Sequence, residues 1–305
     1  MKKVLVIGGG AAGMMAAVFA ARGGREVHVF EKNEKLGKKL FITGKGRCNI
    51  TNAGDMDTLF SSVISNPKFL YSAFYGFTNE QTIAFFEELG VPVKIERGNR
   101  VFPVSDHSSD VIGALSREMN RLGVEVHLHA EVEKILTDRE DPERIRGIRL
   151  KNGKEVAGDA CIVATGGVSY PSTGSTGDGL RFAEELGLKV TELFPALVPM
   201  EVKEWYAKEL QGLSLRNVTA AIYDGRKSCM RNLARCSLLI TASATDHHQR
   251  QQFCRKEIEE KELRLCIDLK PALSQEQLDQ RILRDFEENR NKQFKNSVDR
   301  LFPAN

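Results

Sequence analysis

Lys3-Val4-Leu5-Val6-Ile7-Gly8-Gly9-Gly10-Ala11-Ala12-Gly13-Met14 is the stretch whose reading decides the fold. Val4 to Ile7 is a short apolar run of the kind that forms a strand buried on both faces. Gly8-x-Gly10-x-x-Gly13 follows without a gap, and Ala11 to Arg22 reads as a helix rich in small residues. Gly8 allows the tight turn, Gly10 lets the backbone approach a pyrophosphate, and Gly13 lets the helix lie close on the sheet. Free N–H groups at the helix start, at Ala11 and Ala12, would face the phosphates. A second strand, Glu26 to Phe30, ends at Glu31, placed where a carboxylate grips a ribose hydroxyl. A glycine-rich turn with no ligand is the bland alternative, but strand, glycines, helix, strand and acid occur here in order. The expected fold class is α/β, a doubly wound Rossmann-like domain.

Composition bounds the rest. The chain has 305 residues, enough for two domains. Its formal net charge of +3 is too small to argue for a nucleic-acid partner. No run approaches the roughly 18 apolar residues of a membrane span. Met1-Lys-Lys3 followed by four apolar residues and glycines is too short for a signal-peptide core, so a cytoplasmic protein is expected. Six irregularly spaced cysteines suggest reduced thiols rather than a disulfide framework.

After Glu31 and Lys32 comes a polar loop, Thr43-Gly44-Lys45-Gly46-Arg47-Cys48-Asn49-Ile50-Thr51-Asn52. It is dense in glycine, hydroxyls, amides and cations, which suit phosphates and polar ring edges. A solvated loop has the same composition. Together with Gly8 to Gly13 and Glu31-Lys32, this string resembles a family of bacterial flavoproteins, described as NAD(P)/FAD-dependent, aminoacetone-oxidase-like or BaiN-like oxidoreductases. The resemblance implies FAD as cofactor, with NAD(P)H as a possible reductant. It places Gly44, Arg47, Cys48, Asn49 and Thr51 near the cofactor, and the backbone near Val132 on its adenine side.

Residues 55–122 read mainly as a helical insertion. Asn66-Pro67 starts one helix, with Phe69, Leu70, Ala73 and Phe74 as its apolar stripe, and Asn79 caps another that Gly90 stops. These aromatics are expected in the core. Val91 to Pro103 reads as extended and Ser108 to Leu122 as a third helix, while His107 reads as an exposed loop residue. Val124 to Ile135 reads as one strand with His127 and His129 on one face, solvated rather than metal-binding because no third ligand stands at metal spacing. Arg144 to Leu150 and Glu155 to Val163 read as a hairpin around Asn152-Gly153.

Cys161 to Gly167 is an apolar strand ending in a glycine turn, which brings Thr165 and Gly166 to the cofactor. Ala164-Thr-Gly-Gly-Val-Ser-Tyr-Pro and Gly174-Ser-Thr-Gly177-Asp178-Gly179 again resemble the family. Gly177 and Asp178, at the start of a helix from Leu180 to Leu186, can present N–H groups or a carboxylate to the ligand. A plain capped helix is the alternative. Pro195 to Pro199 marks a linker. The expected organisation is an FAD-binding domain over 1–195 and a partial, mostly β substrate domain over 196–305.

From Lys227 to about Phe253 the texture changes: neither a helical nor a strand period is clear. The family has a string close to GEMLFTHxGxSGPxI in this region. Codons compatible with Lys227 to Ala244, read one base earlier, can spell KLYEEFGEMLFTHYGVS; those for Thr245 to Gln252, read one base later, can spell PIITSASS. The segment is therefore expected to be translated out of frame, irregular and poorly packed. Cys236, His247, His248 and Cys254 have zinc-binding chemistry but no familiar ligand spacing, so no metal is expected there. Leu263 to Leu269 alternates as a strand. Ser274 and Gln277 then form a capping box for a helix striped by Leu278, Ile282, Leu283 and Phe286. The resemblance implies that the chain stops short of the family's usual length.

The functional expectation is an FAD-dependent oxidoreductase acting by hydride transfer on a small organic substrate. The rivals are an NAD(P)-binding dehydrogenase without flavin and a damaged homologue with weak or no catalysis. No general acid or base stands out. Cys48, beside Arg47, is the candidate reactive group, because nearby positive charge favours thiolate.

Overall fold

The computed structural model describes residues 2–63, 66–193, 218–224, 227–234 and 263–294, with a few isolated positions between 204 and 215. It divides into two compact units, Met1–Thr191 and Glu192–Asn305.

The first unit is built on a four-stranded parallel sheet. β1 (Lys3–Ile7) lies between β10 (Ala160–Val163) and β2 (Glu26–Phe30), and β6 (Glu125–His127) adds to the far side of β2. Side chains of β1 alternate between two cores. Val4 and Val6 pack with Met14 and Val18 of α1 (Ala11–Arg22) and with Val111, Leu115 and Met119 of α6 (Ser108–Arg121). Leu5 and Ile7 pack with Phe30, Ile135, Ile148 and Phe182 on the other face. A strand covered on both sides must be apolar throughout, which is why Val4 to Ile7 carries no polar position. Each fully buried side chain there contributes about 1.5–3 kcal/mol.

Between β2 and β6 runs the insertion. It holds α2 (Lys38–Ile42), β3 (Thr51–Asn52), α3 (Met56–Ser61), α4 (Tyr71–Gly76), α5 (Asn79–Glu88), β4 (Val93–Glu96) and β5 (Arg100–Pro103). It is less purely helical than its sequence suggests, because β3, β5 and β4 form an antiparallel sheet of their own. Asn66-Pro67 opens a 3-10 turn rather than an α-helix. Phe69 is 78% exposed, not core, whereas Phe85 and Phe86 are buried. Thr78, not Asn79, caps α5, sharing a capping box with Gln81. The Asn79 amide instead donates to the Asn52 and Gly54 carbonyls, tying α5 to the loop after β3.

The stretch from Val124 to Ile135 is not one strand. β6 ends at His127, the chain turns through His129 at φ 52°, and β7 (Val132–Thr137) starts a separate antiparallel sheet with β8 (Ile145–Leu150) and β9 (Glu155–Ala157). The hairpin around Asn152-Gly153 joins β8 to β9. Residues 160–163 then leave it as β10, because an apolar strand is needed beside β1. α7 (Asp178–Glu185) closes the unit.

In the second unit, β11 (Val218–Asp224) pairs antiparallel with β12 (Lys227–Ala234) on one side and β13 (Leu263–Asp268) on the other. The expectation of an irregular segment is thus wrong for residues 227–234. Strand pairing is made by backbone N–H and C=O groups, which do not need an alternating side-chain pattern. Residues 235–253, with Cys236, His247, His248 and the rest of the anomalous run, lie outside the described residues, as do Cys254 and Pro195 to Pro199. Ser274 caps α8 (Gln275–Glu288) with Gln277 in a capping box. Its buried residue is Asp285, while Leu283 of the expected stripe is 69% exposed.

Candidate dinucleotide site

The chain leaves β1 at Gly8, whose φ of 105° suits glycine. A Cβ at Gly8 would stand 2.5 Å from the Ala164 carbonyl oxygen, so the turn and the end of β10 touch through backbone. A Cβ at Gly13 would stand 1.8 Å from the Gly8 oxygen, so α1 rests directly on the turn. At Gly10 a Cβ would meet nothing within 4 Å. Gly10 is therefore not demanded by protein packing; the space beside it is open.

That space is part of a cavity of about 600 Å³ within the first unit, lined by Gly8, Gly10, Ala11, Ala12, Phe30, Glu31, Lys32, Val132, Thr165, Gly166 and Asp178 among others. Ala11 and Ala12, in the first turn of α1, are exposed to it. The first turn carries no acidic residue and no capping side chain, so its N–H groups remain for a ligand. Gly13 lies beneath, in the packing. Gly44, Arg47, Cys48, Asn49, Thr51 and Gly177 are not among the lining residues; Thr43, Lys38, Lys39 and the Thr173–Ser175 loop are.

Glu31 is 7% exposed and aimed at the glycine turn. Its Oε2 accepts the Gly9 N–H at 2.7 Å, and its Oε1 accepts the Asn33 N–H at 2.8 Å and the Asn33 amide at 2.6 Å. Gly9 and Asn33 are among the residues that sequence reasoning missed, with Lys38, Lys39, Thr43 and the Thr173–Ser175 loop. The fingerprint assigns no role to Gly9, yet a Cβ there would stand 2.3 Å from Leu36 and 3.2 Å from Glu31.

One wall of the cavity is tied down by side chains from the other. Lys32 Nζ donates to Thr176 Oγ1 and to Asp178 Oδ2, each at 2.7 Å. The Asn33 amide donates to the Thr173 carbonyl at 3.1 Å, and Lys39 Nζ to the Ser169 carbonyl at 2.6 Å. Burial works against the Asp178 charge, but Lys32 and Thr176 outweigh it and hold its carboxyl below the usual range. Burial also lowers the Lys39 ammonium from its ordinary value.

The expectation of a reactive Cys48 is not met. Cys48 is 1% exposed within the apolar core, and burial pushes its thiol up despite a hydrogen bond with Thr43. Arg47 does not offset this, because its guanidinium turns away to Glu96 and Asp106 and lies 4.2 Å over the Phe102 ring.

A parallel sheet, a glycine turn into a helix N-terminus and a buried acid at the end of the second strand together define a Rossmann-type α/β protein. Residues 2–264 match the HI0933-like protein Rossmann domain, and the chain belongs to that family. Among curated relatives, it is 33% identical over 207 residues to the 3-dehydro-bile acid delta(4,6)-reductase of Clostridium scindens, covering 67% of this chain and 48% of that one. It is 31% identical over 213 residues to the ribosomal RNA dihydrouridine synthase of Haemophilus influenzae, covering 69% and 52%. The enzyme of the same name from Escherichia coli is 31% identical over 211 residues, covering 69% and 50%. The chain spans about half the length of these relatives. Among the described residues, no helix is long and apolar enough to cross a membrane.

Proposed function

We propose that this chain carries the FAD-binding part of a reductase that saturates a carbon–carbon double bond conjugated to a carbonyl. The observation that carries the reading is the open space at Gly10, between the first turn of α1 and the Glu31 carboxylate. It fits a pyrophosphate beside a ribose, and a side chain at position 10 would fill it. In this reading Ala11 and Ala12 give N–H groups to the pyrophosphate. Glu31 accepts from the adenosine ribose with lone pairs not used by Gly9 and Asn33. The Val132 backbone borders the adenine, and the loop holding Thr165, Gly166 and Asp178 shields the site from water. Arg47, Cys48, Asn49 and Thr51 stand behind the cavity and shape the loop rather than contact the ligand.

When bound, FAD supplies a hydride donor and acceptor at its ring. The substrate class rests on the relatives' names. A delta(4,6)-reductase of a 3-dehydro bile acid and a dihydrouridine synthase both saturate a double bond conjugated to a carbonyl. We favour a small unsaturated ketone as acceptor, since a net charge of +3 is modest for an RNA-binding protein. A uridine-containing RNA fragment is the second arm to assay, because two relatives are named for ribosomal RNA.

The test begins with the visible spectrum of the purified chain, before and after adding FAD. Flavin bands that persist through gel filtration, and bleach with NAD(P)H, support the reading. Reoxidation by an unsaturated ketone would then support the substrate class. A colourless protein that takes up NAD(P)H but no FAD would favour the flavin-free dehydrogenase, and one that takes up neither would favour a damaged homologue.

A further inference from the structure

The first unit carries a second cluster of ligand-type side chains, none of which lines the cavity at the glycine turn. β2 and β6 pair in parallel with His28 opposite Glu125 and Phe30 opposite His127. Side chains of alternate residues share a face, so His28, Glu125 and His127 converge although 97 residues separate the first from the second. His28 Nδ1 lies 3.1 Å from His127 Nε2 and 3.3 Å from Glu125 Oε2, which is 3.9 Å from His127 Nε2. A circle through three points so spaced has a radius of about 2.0 Å, the length of a zinc–imidazole or zinc–carboxylate bond.

The surroundings are those of a ligand set. The Glu26 carboxylate accepts from His28 Nε2 at 3.0 Å and is itself paired with Lys3 at 2.7 Å. That bond leaves the lone pair of His28 on Nδ1, facing the cluster, as outer carboxylates do for metal-bound histidines. His28 is buried. The His127 ring stacks on Phe30 with centroids 4.7 Å apart. Burial, then the neighbouring His28, lowers the His127 imidazolium from its ordinary value. Glu125 is largely exposed, which leaves a fourth position open to water.

From this juxtaposition we infer that His28 Nδ1, His127 Nε2 and Glu125 Oε2 form a binding site for a divalent transition metal, zinc above all. The ion takes the place of the hydrogen bond between the two imidazoles. The proton on His127 Nε2 moves to Nδ1 through solvent, and each ring turns about its Cβ–Cγ bond toward the carboxylate. Two neutral imidazoles, one carboxylate and a water make a four-coordinate set of ordinary composition for zinc.

The test uses the full chain, freed of metal by a chelator and without added FAD. Zn²⁺ is titrated by calorimetry and Co²⁺ by visible absorption, which reports coordination geometry. The parent should bind one equivalent with a tetrahedral Co²⁺ spectrum. Glu125→Gln, at a largely exposed position, should weaken binding about tenfold or more. Glu26→Gln should weaken it about 10-fold to 100-fold, as outer-shell losses do. His127→Asn should abolish it, while His129→Ala, on an exposed residue, should leave it unchanged. Zinc affinity equal in parent, Glu125→Gln and His127→Asn would overturn the site. So would binding that survives those changes but is lost in a His247→Ala, His248→Ala double variant.

Discussion

The backbone N–H of Gly9 donates to the carboxylate of Glu31 at 2.7 Å, so the turn after β1 and the acid after β2 are one unit within the protein itself. The glycine turn and the Glu31 carboxylate are thereby placed against each other by a buried hydrogen bond to a charged group, worth about 1.5–3 kcal/mol.

The second and third glycines of this fingerprint separate binding from folding. Gly10→Val places a side chain in open space, so the fold should survive while FAD is lost. Gly13→Ala drives a methyl group against the Gly8 oxygen, so it should cost stability outright, about 1–3 kcal/mol as overpacking does. Urea melts and flavin content, measured on both variants, check the pair. Equal flavin content in Gly10→Val and parent would remove this turn from the site.

Glu31 has two tasks, and two variants divide them. Glu31→Ala leaves the Gly9 and Asn33 backbone N–H groups without a partner and the Asn33 amide with only the Thr173 carbonyl, which should destabilise the unit by about 1–3 kcal/mol and weaken FAD binding at least tenfold. Glu31→Gln retains an acceptor for part of this set and should lie between. FAD titration by fluorescence quenching, beside thermal melts, gives both numbers. Matching affinities for parent and Glu31→Ala would exclude a contact with the ligand.

Acid should act through Glu118. Arg121 and, against the opposing effect of burial, Arg22 lower its carboxyl from 4.5 to about 2. A lowered folded value means that the stabilisation is full above the unfolded value and is lost as pH falls from about 4.5 to about 2. Because Arg121 is 66% exposed, water screens the pair and the loss should be on the order of 1 kcal/mol. Melting temperatures of parent and Glu118→Gln should converge as pH falls through that window. A constant gap between them would refute the assignment.

Cysteine labelling should follow burial. Cys48 is packed in the core, and burial pushes Cys161 up to about 12, whereas Cys266 is exposed. Iodoacetamide at neutral pH should therefore modify Cys266 well before Cys48 or Cys161, read by mass spectrometry of the digested protein. Early loss of Cys48 would restore it as a reactive group.

Sequence by itself determined the parts whose physics is local. Val4 to Ile7 must be buried on both faces, Gly8 to Gly13 must turn and start a helix, and Ser274 with Gln277 must cap one; each follows from neighbours within a few positions. The match to the HI0933-like family agrees with that reading of the fold. Tertiary structure decided what depends on residues far apart in the chain. Arg47 is drawn from the loop to Glu96 and Asp106, and Cys48 is buried in the core. The Val124 to Ile135 run divides between two sheets because β2 offers an edge to β6 while β8 offers one to β7. His127 consequently meets His28 rather than His129, since parallel pairing, not spacing along the chain, sets which side chains share a face.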